Sequence, residues 1–167
     1  QLNMVQLVTS LRAVLLQGLA GTGKTYIAMQ AARLAHERGE RTLLLCYNNM
    51  LADFLGSQLK HFPMVRVSSI HALMLEVAEL EVPKEVSEFW WKEELPEAAL
   101  EKAQAFSLEN EFDTLIIDEA QDLGTPDYLL FLDQILKNGL SKSKFLACGD
   151  FGHQGIYLSG SESLKNF

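Results

Sequence analysis

An α/β fold, a parallel sheet covered by helices on both faces, is predicted by three observations. Five apolar runs of strand length alternate with helical patterns along the 167-residue chain. A glycine-rich stretch ending in Lys24-Thr25 separates the first run from the first helix. Each chemically distinctive stretch (residues 18–25, 47–48, 68–71, 118–122 and 149–154) falls at the carboxyl end of a run, where open α/β sheets bind their ligands.

The elements follow in order. Leu2, Val5, Leu7, Val8 and Leu11 are spaced for a short helix feeding the first strand, 13–16. The helix from 25 to about 36 carries Ile27, Ala28, Ala31, Ala32, Leu34 and Ala35, mostly small residues suited to close packing on a sheet, and Gly39 ends it. Residues 42–47 form a largely apolar run, as in a strand buried on both faces. Asn48 and Asn49 then cap a helix over about 50–61, and Pro63 breaks it. A short strand at 64–67 leads through Ser68 and Ser69 into a helix carrying Ile70, Leu73, Met74 and Val77. From Glu81 to Glu111 the pattern predicts acidic amphipathic helices punctuated by Pro83 and Pro96, anchored by Phe89, Trp90 and Trp91 in core packing. A strand at 114–118, a helix over about 126–137 and a strand at 144–148 complete the series. We expect one domain over 1–167, a fragment of a longer chain, with a helical acidic insertion at about 79–111.

Composition narrows the function classes. The chain is 48% hydrophobic and 22% charged, an ordinary globular balance. No apolar run reaches the ~20 residues that cross a bilayer. We expect a soluble protein in the cytoplasm or another intracellular compartment containing nucleic acid, with no membrane partner. A net charge of −8 argues against binding nucleic acid by bulk electrostatics, so any such contact is local. Cys46 and Cys148 lack metal-ligand spacing and sit near the ends of apolar runs, where buried thiols are common.

Gly18-Leu19-Ala20-Gly21-Thr22-Gly23-Lys24-Thr25 satisfies G-x-x-x-x-G-K-[ST] at every fixed position, between a strand and a helix. The pattern resembles the phosphate loop of P-loop NTPases, whose lysine and hydroxyl a plain glycine turn would not need. Gly18, Gly21 and Gly23 permit the backbone to turn amides toward an anion, and the following helix adds its positive end. With Thr22 they form the cradle. Lys24 is expected to reach the outer phosphates of ATP, and the Thr25 hydroxyl to take a Mg²⁺ position. Downstream, the run 115–117 ends in Asp118-Glu119. Asp118 is the second metal candidate, and Glu119 can polarise the water that attacks the γ-phosphate.

Asp118-Glu119-Ala120-Gln121-Asp122, with Gly149-Asp150 and the later Gln154, Ile156 and Tyr157, resembles motifs II and III of superfamily 1 helicases, in the UvrD/Rep-like branch. Residues 43–55 are similar to motif Ia, and residues 67–71 to the motif that normally ends in a histidine. The resemblance covers nearly the whole chain and implies a RecA-like sheet that moves along single-stranded nucleic acid, DNA favoured over RNA. It also implies that Gln121 and Gln154 sense the γ-phosphate, with Asp150 supporting them. Asn48, Ser69, His71 and Tyr157 would lie near the bound strand. Asn48 and Ser69 equally suit helix caps, His71 a helix start or core position, and Tyr157 burial.

The pattern departs from the family in two places. Three residues rather than two separate Asp150 from Gln154, so His153 takes the glutamine position when counted from Gly149. Leu158-Ser159-Gly160-Ser161 stands where the family continues with an aromatic and an arginine. In the family a glutamine before the first strand reads adenine. Gln1 has the better spacing, and Gln6 is the second choice. No second RecA-like domain with its arginine fingers is present in these residues, so the expectation is ATP·Mg²⁺ binding with slow hydrolysis by this chain alone. The competing readings are a nucleotide-gated protein-interaction module, with residues 76–111 recruiting the partner, and a small-molecule P-loop phosphotransferase.

Overall fold

The computed structural model describes residues 5–6, 10–19, 21–105, 111–123 and 125–150. Within them the predicted alternation is present: β1 (Ala13–Gln17), α1 (Lys24–Glu37), β2 (Thr42–Cys46), α2 (Asn49–Leu59), β3 (Val65–Ser69), α3 (Ile70–Ala78), α4 (Leu95–Ala105), β4 (Thr114–Ile117), α5 (Pro126–Ile135) and β5 (Lys144–Gly149). The strands form one sheet in the order β1-β5-β4-β2-β3, with every pairing parallel.

Side-chain alternation along the strands builds two cores. Leu43 and Leu45 of β2, with Leu115 and Ile117 of β4, face α3, α4 and α5. Leu44, Cys46, Ile116, Leu146 and Cys148 point the other way, onto α1 and α2. Alanines 28, 31, 32 and 35 are all buried, so the small residues of α1 bring its backbone close to the sheet. Cover thins at β1, where Leu15 is 54% exposed among the described residues. No described helix is long and apolar enough to cross a membrane.

Several elements differ from expectation, each for a local reason. Ser68 and Ser69 are the end of β3 rather than a lead-in, paired in register with Leu45 and Cys46. The last helix stops at Ile135 because Leu136 turns extended and bridges to Phe112, and Lys137 N donates to Phe112 O at 2.8 Å. Pro96 does not punctuate. A π-helical turn at Trp90–Glu94 runs directly into α4, with Leu95 N–H bonded to Trp90 O. The helical run continues through Pro96, and the π-register bond lies just before the position of the proline's missing amide. Trp90 and Trp91 pack against the α3–α5 core as expected, but Phe89 does not anchor it and is 57% exposed.

A polar cluster closes the amino end of the sheet. Glu40 accepts hydrogen bonds from Arg38 Nε (2.9 Å), Lys144 Nζ (2.6 Å) and Thr114 Oγ1 (2.7 Å), joining the starts of β2, β4 and β5. Partial burial alone would raise this carboxyl, but the bonds from Arg38, Lys144 and Thr114 outweigh it and hold its pKa at about 2, below the ordinary 4.5. A depressed pKa contributes stability that is complete above the unfolded value and lost as pH falls through the folded one. The denaturation midpoint will therefore fall as pH drops from 4.5 toward 2, and Glu40→Gln will flatten that slope by lowering the midpoint at neutral pH, where the lost stabilisation is complete, and approaching wild type near pH 2. Urea titrations across this range measure it.

Candidate functional site

The phosphate loop joins β1 to α1 through residues whose geometry admits few substitutes. Gly18 N donates to Gly149 O at 3.1 Å, fastening the loop to the end of β5. A Cβ on Gly18 would meet Thr22 Oγ1 at 2.7 Å. Gly23 begins α1 at φ 89°, in the left-handed region that side chains with a Cβ resist. It supplies no side-chain cap, and the first turn of α1 carries no acidic residue. Asn48, Ser69 and Thr125 cap α2, α3 and α5. At α1 the orphan amides and the positive helix end are left for an anion.

Lys24 folds back over this loop. It is only 6% exposed, and its Nζ donates to Gly18 O at 2.8 Å and Leu19 O at 3.1 Å. A buried ammonium resting on loop carbonyls can exchange them for phosphate oxygens.

Asp118 follows β4 directly and is fully buried. Burial raises its pKa, as does the Glu119 charge, while the Thr25 hydroxyl hydrogen bond, the Glu119 amide and Lys24 pull it down. Among the described residues its Oδ2 has no hydrogen-bond partner. A buried carboxylate oxygen without a donor, beside a helix-start hydroxyl, fits a small hard cation. The described residues contain no group of three or more His, Cys, Asp or Glu able to cage a metal. A buried carboxylate beside a hydroxyl is a donor set that fits Mg²⁺, which takes most of its shell from water and phosphate. Cys46 and Cys148 flank Asp118 on the neighbouring strands, but burial pushes their thiols up to about 11 and 12, so they remain neutral.

Glu119 adopts φ 54°, unusual for a residue with a Cβ. Its amide donates to Asp118 Oδ1 at 3.2 Å, and its Oε2 accepts from Gln121 Nε2 at 2.8 Å. Gln121 Oε1 in turn accepts from Asp150 N at 3.2 Å. Thus the cradle, Lys24, Thr25, Asp118, Glu119, Gln121 and Asp150 converge at the ends of β1, β4 and β5.

The family described as AAA domain matches residues 1–154. The chain belongs to this AAA domain family. No curated protein matches it. As an AAA domain it is a nucleotide-binding P-loop NTPase unit, and its parallel sheet brings the loop and the acidic pair to the same end of neighbouring strands.

The remaining candidates lie elsewhere. Asn48 Oδ1 accepts from Met50 N (2.8 Å) and Leu51 N (3.4 Å), and Ser69 Oγ accepts from Ala72 N (3.2 Å) while donating to Asn49 Oδ1. Both residues are helix caps here. Asn48→Ala will cost about 1 kcal/mol, the usual worth of such a cap, as read by thermal or urea unfolding. His71 is half-buried, its Nε2 paired with Tyr128 Oη at 2.8 Å. Tyr128 donates to Trp91 O at 3.3 Å, so the histidine nitrogen carries the proton that it accepts. Burial lowers the His71 pKa, keeping the ring neutral. Its ring meets Tyr47, Trp91 and Tyr128 edge to face. Sequence reasoning missed Tyr47 and Tyr128 as members of this cluster. Tyr47, at the end of β2 and 45% exposed, carried the available signal in its place at a strand end. Gln6 lies in a short helical stretch and is exposed; Gln1, Gln154 and Tyr157 lie outside the described residues.

Proposed function

We propose that this domain is the first RecA-like, ATP-binding half of a UvrD/Rep-like superfamily 1 helicase or translocase. The hydrogen-bonded path Glu119–Gln121–Asp150 carries this reading, because it joins the two stretches that resemble motifs II and III across adjacent strand ends. In this mechanism the loop amides and Lys24 would hold the triphosphate, and Thr25 with Asp118 would hold Mg²⁺. That cation would supply charge neutralisation to the transferring phosphate. Glu119 orients water and takes its proton. A second RecA-like domain completes the site with cations that stabilise transition-state charge, and opening and closing between the two halves steps the protein along a single strand, DNA in preference to RNA.

Strand separation by the full-length protein, with Lys24→Ala as the control, tests the proposal. Unwinding that persists in that variant rejects the role assigned to the loop.

A second reading has its own support. Val82, Val86 and Phe89 are exposed, at 48%, 39% and 57%, interleaved with Glu81, Glu85 and Glu88. An apolar, acidic surface of this kind suits a nucleotide-gated protein-interaction module. Nucleotide-dependent capture of a partner, without stimulation by nucleic acid, would favour it.

A further inference from the structure

We propose that Gln121 is a positioning residue for Glu119, its one side-chain amide fixing the catalytic carboxylate and tying it to the end of β5. The inference rests on the ATPase reading above and deepens it. The resemblance implies a different duty for Gln121, contact with the γ-phosphate. The geometry points instead to the base.

Gln121 uses both ends of its amide. Nε2 donates to Glu119 Oε2 at 2.8 Å, and Oε1 accepts from Asp150 N at 3.2 Å. The side chain is presented from a 3-10 turn, Ala120–Leu123, which Leu123 anchors in the core at 2% exposure. Glu119 is held at its other end too, since its own amide donates to Asp118 Oδ1 at 3.2 Å. Glu119 sits at φ 54°, a conformation that non-glycine residues adopt mainly where their surroundings hold them, and its amide bond to Asp118 Oδ1 acts on that backbone directly. This is the arrangement of a base and its orienter, in which the second group acts by fixing the first.

The bond from Gln121 occupies one carboxylate oxygen and leaves Oε1 to accept a proton. In the step it serves, a water oxygen forms a bond to the γ-phosphorus as the bond to the β–γ bridging oxygen breaks. The electron pair leaves on ADP, and the water proton passes to Glu119 and then to solvent. Because the other end of Gln121 is bonded to Asp150, a shift of the last residues of β5 reaches the base through a single side chain. Nucleotide entering beside Gly18, whose amide is fastened to Gly149 O, acts on that same strand end.

The test compares Gln121→Ala, Gln121→Glu, Glu119→Gln and the double variant Glu119→Gln/Gln121→Ala in the full-length protein. Gln121→Ala will lower kcat by about 10- to 100-fold, the usual cost of losing a group that orients a working ligand or base. KM and the nucleotide Kd will stay within about twofold, because no ground-state contact is lost. Gln121→Glu keeps the length but cannot donate, so it will lose at least as much. The double variant will hydrolyse no more slowly than Glu119→Gln alone, since residues that act as a unit are not additive. A readout independent of turnover is the Gln121 side-chain amide in the nucleotide-free protein. Its protons will be protected from exchange, and Glu119→Ala will remove that protection.

Raised KM with kcat preserved in Gln121→Ala would make Gln121 a phosphate contact and overturn the proposal. So would wild-type turnover in Gln121→Glu, or a full extra loss in the double variant. If Glu119→Gln itself hydrolyses normally, Glu119 is not the base, and the ATPase assignment falls together with the inference. If Lys24→Ala and Glu119→Gln both abolish turnover while Gln121→Ala does not, the inference alone fails.

Discussion

Lys24→Ala will reduce ATP hydrolysis by the full-length protein about 10²- to 10³-fold, the cost of removing one preorganised donor from developing transition-state charge. Nucleotide affinity will fall with it, because the ammonium contacts the triphosphate in the ground state as well. The resting structure explains why no neighbour can substitute. Lys24 sits 6% exposed on the carbonyls of Gly18 and Leu19, and its charge also draws down the pKa of the buried Asp118. Alanine leaves two loop carbonyls without that donor and removes a cation that favours the ionised form of the metal-binding carboxylate. Lys24→Arg will not rescue, since a planar guanidinium is broader than an ammonium and does not fit the same carbonyl pair. Isothermal titration with a non-hydrolysable ATP analogue separates the binding loss from the rate loss. Normal turnover in either variant would contradict the loop geometry.

The loop was legible from sequence because each of its fixed positions answers a local demand. A Cβ on Gly18 would crowd the Thr22 hydroxyl, and Gly23 lies at φ 89°, so local sterics favour glycine at both. Asp118 was legible because a carboxylate ending the apolar run Thr114–Ile117 has few structural uses. Strand order was not. The runs of β1, β4 and β5 are all largely apolar, and only long-range packing decides that β5 lies between β1 and β4. Pro96 misled because the helical run continues through it, with the π-turn at Trp90–Glu94 just before it. The His71–Tyr128 pair spans 57 positions and has no sequence signature. Asn48 and Ser69 show the converse limit. The residue types that favour a polar ligand also favour a cap, and the structure uses both as caps.

Glu119→Gln will separate binding from chemistry. Hydrolysis in single-turnover experiments will fall about 10²- to 10⁴-fold, the range for loss of a positioned general base. Nucleotide binding will be retained or tightened, because the change removes a negative charge near the triphosphate while keeping the side-chain length. Asp118 gives the contrast. Its fully buried carboxylate has an oxygen without a partner among the described residues, so Asp118→Asn will weaken the Mg²⁺ dependence rather than the proton transfer alone. The distinction follows from placement. Asp118 follows the last residue of β4, buried beside Thr25, whereas the left-handed turn at φ 54° swings the next side chain onto Gln121. Two adjacent carboxylates thereby acquire different environments and different work. A Glu119→Gln variant that loses nucleotide binding as severely as Lys24→Ala would mean that this separation does not exist.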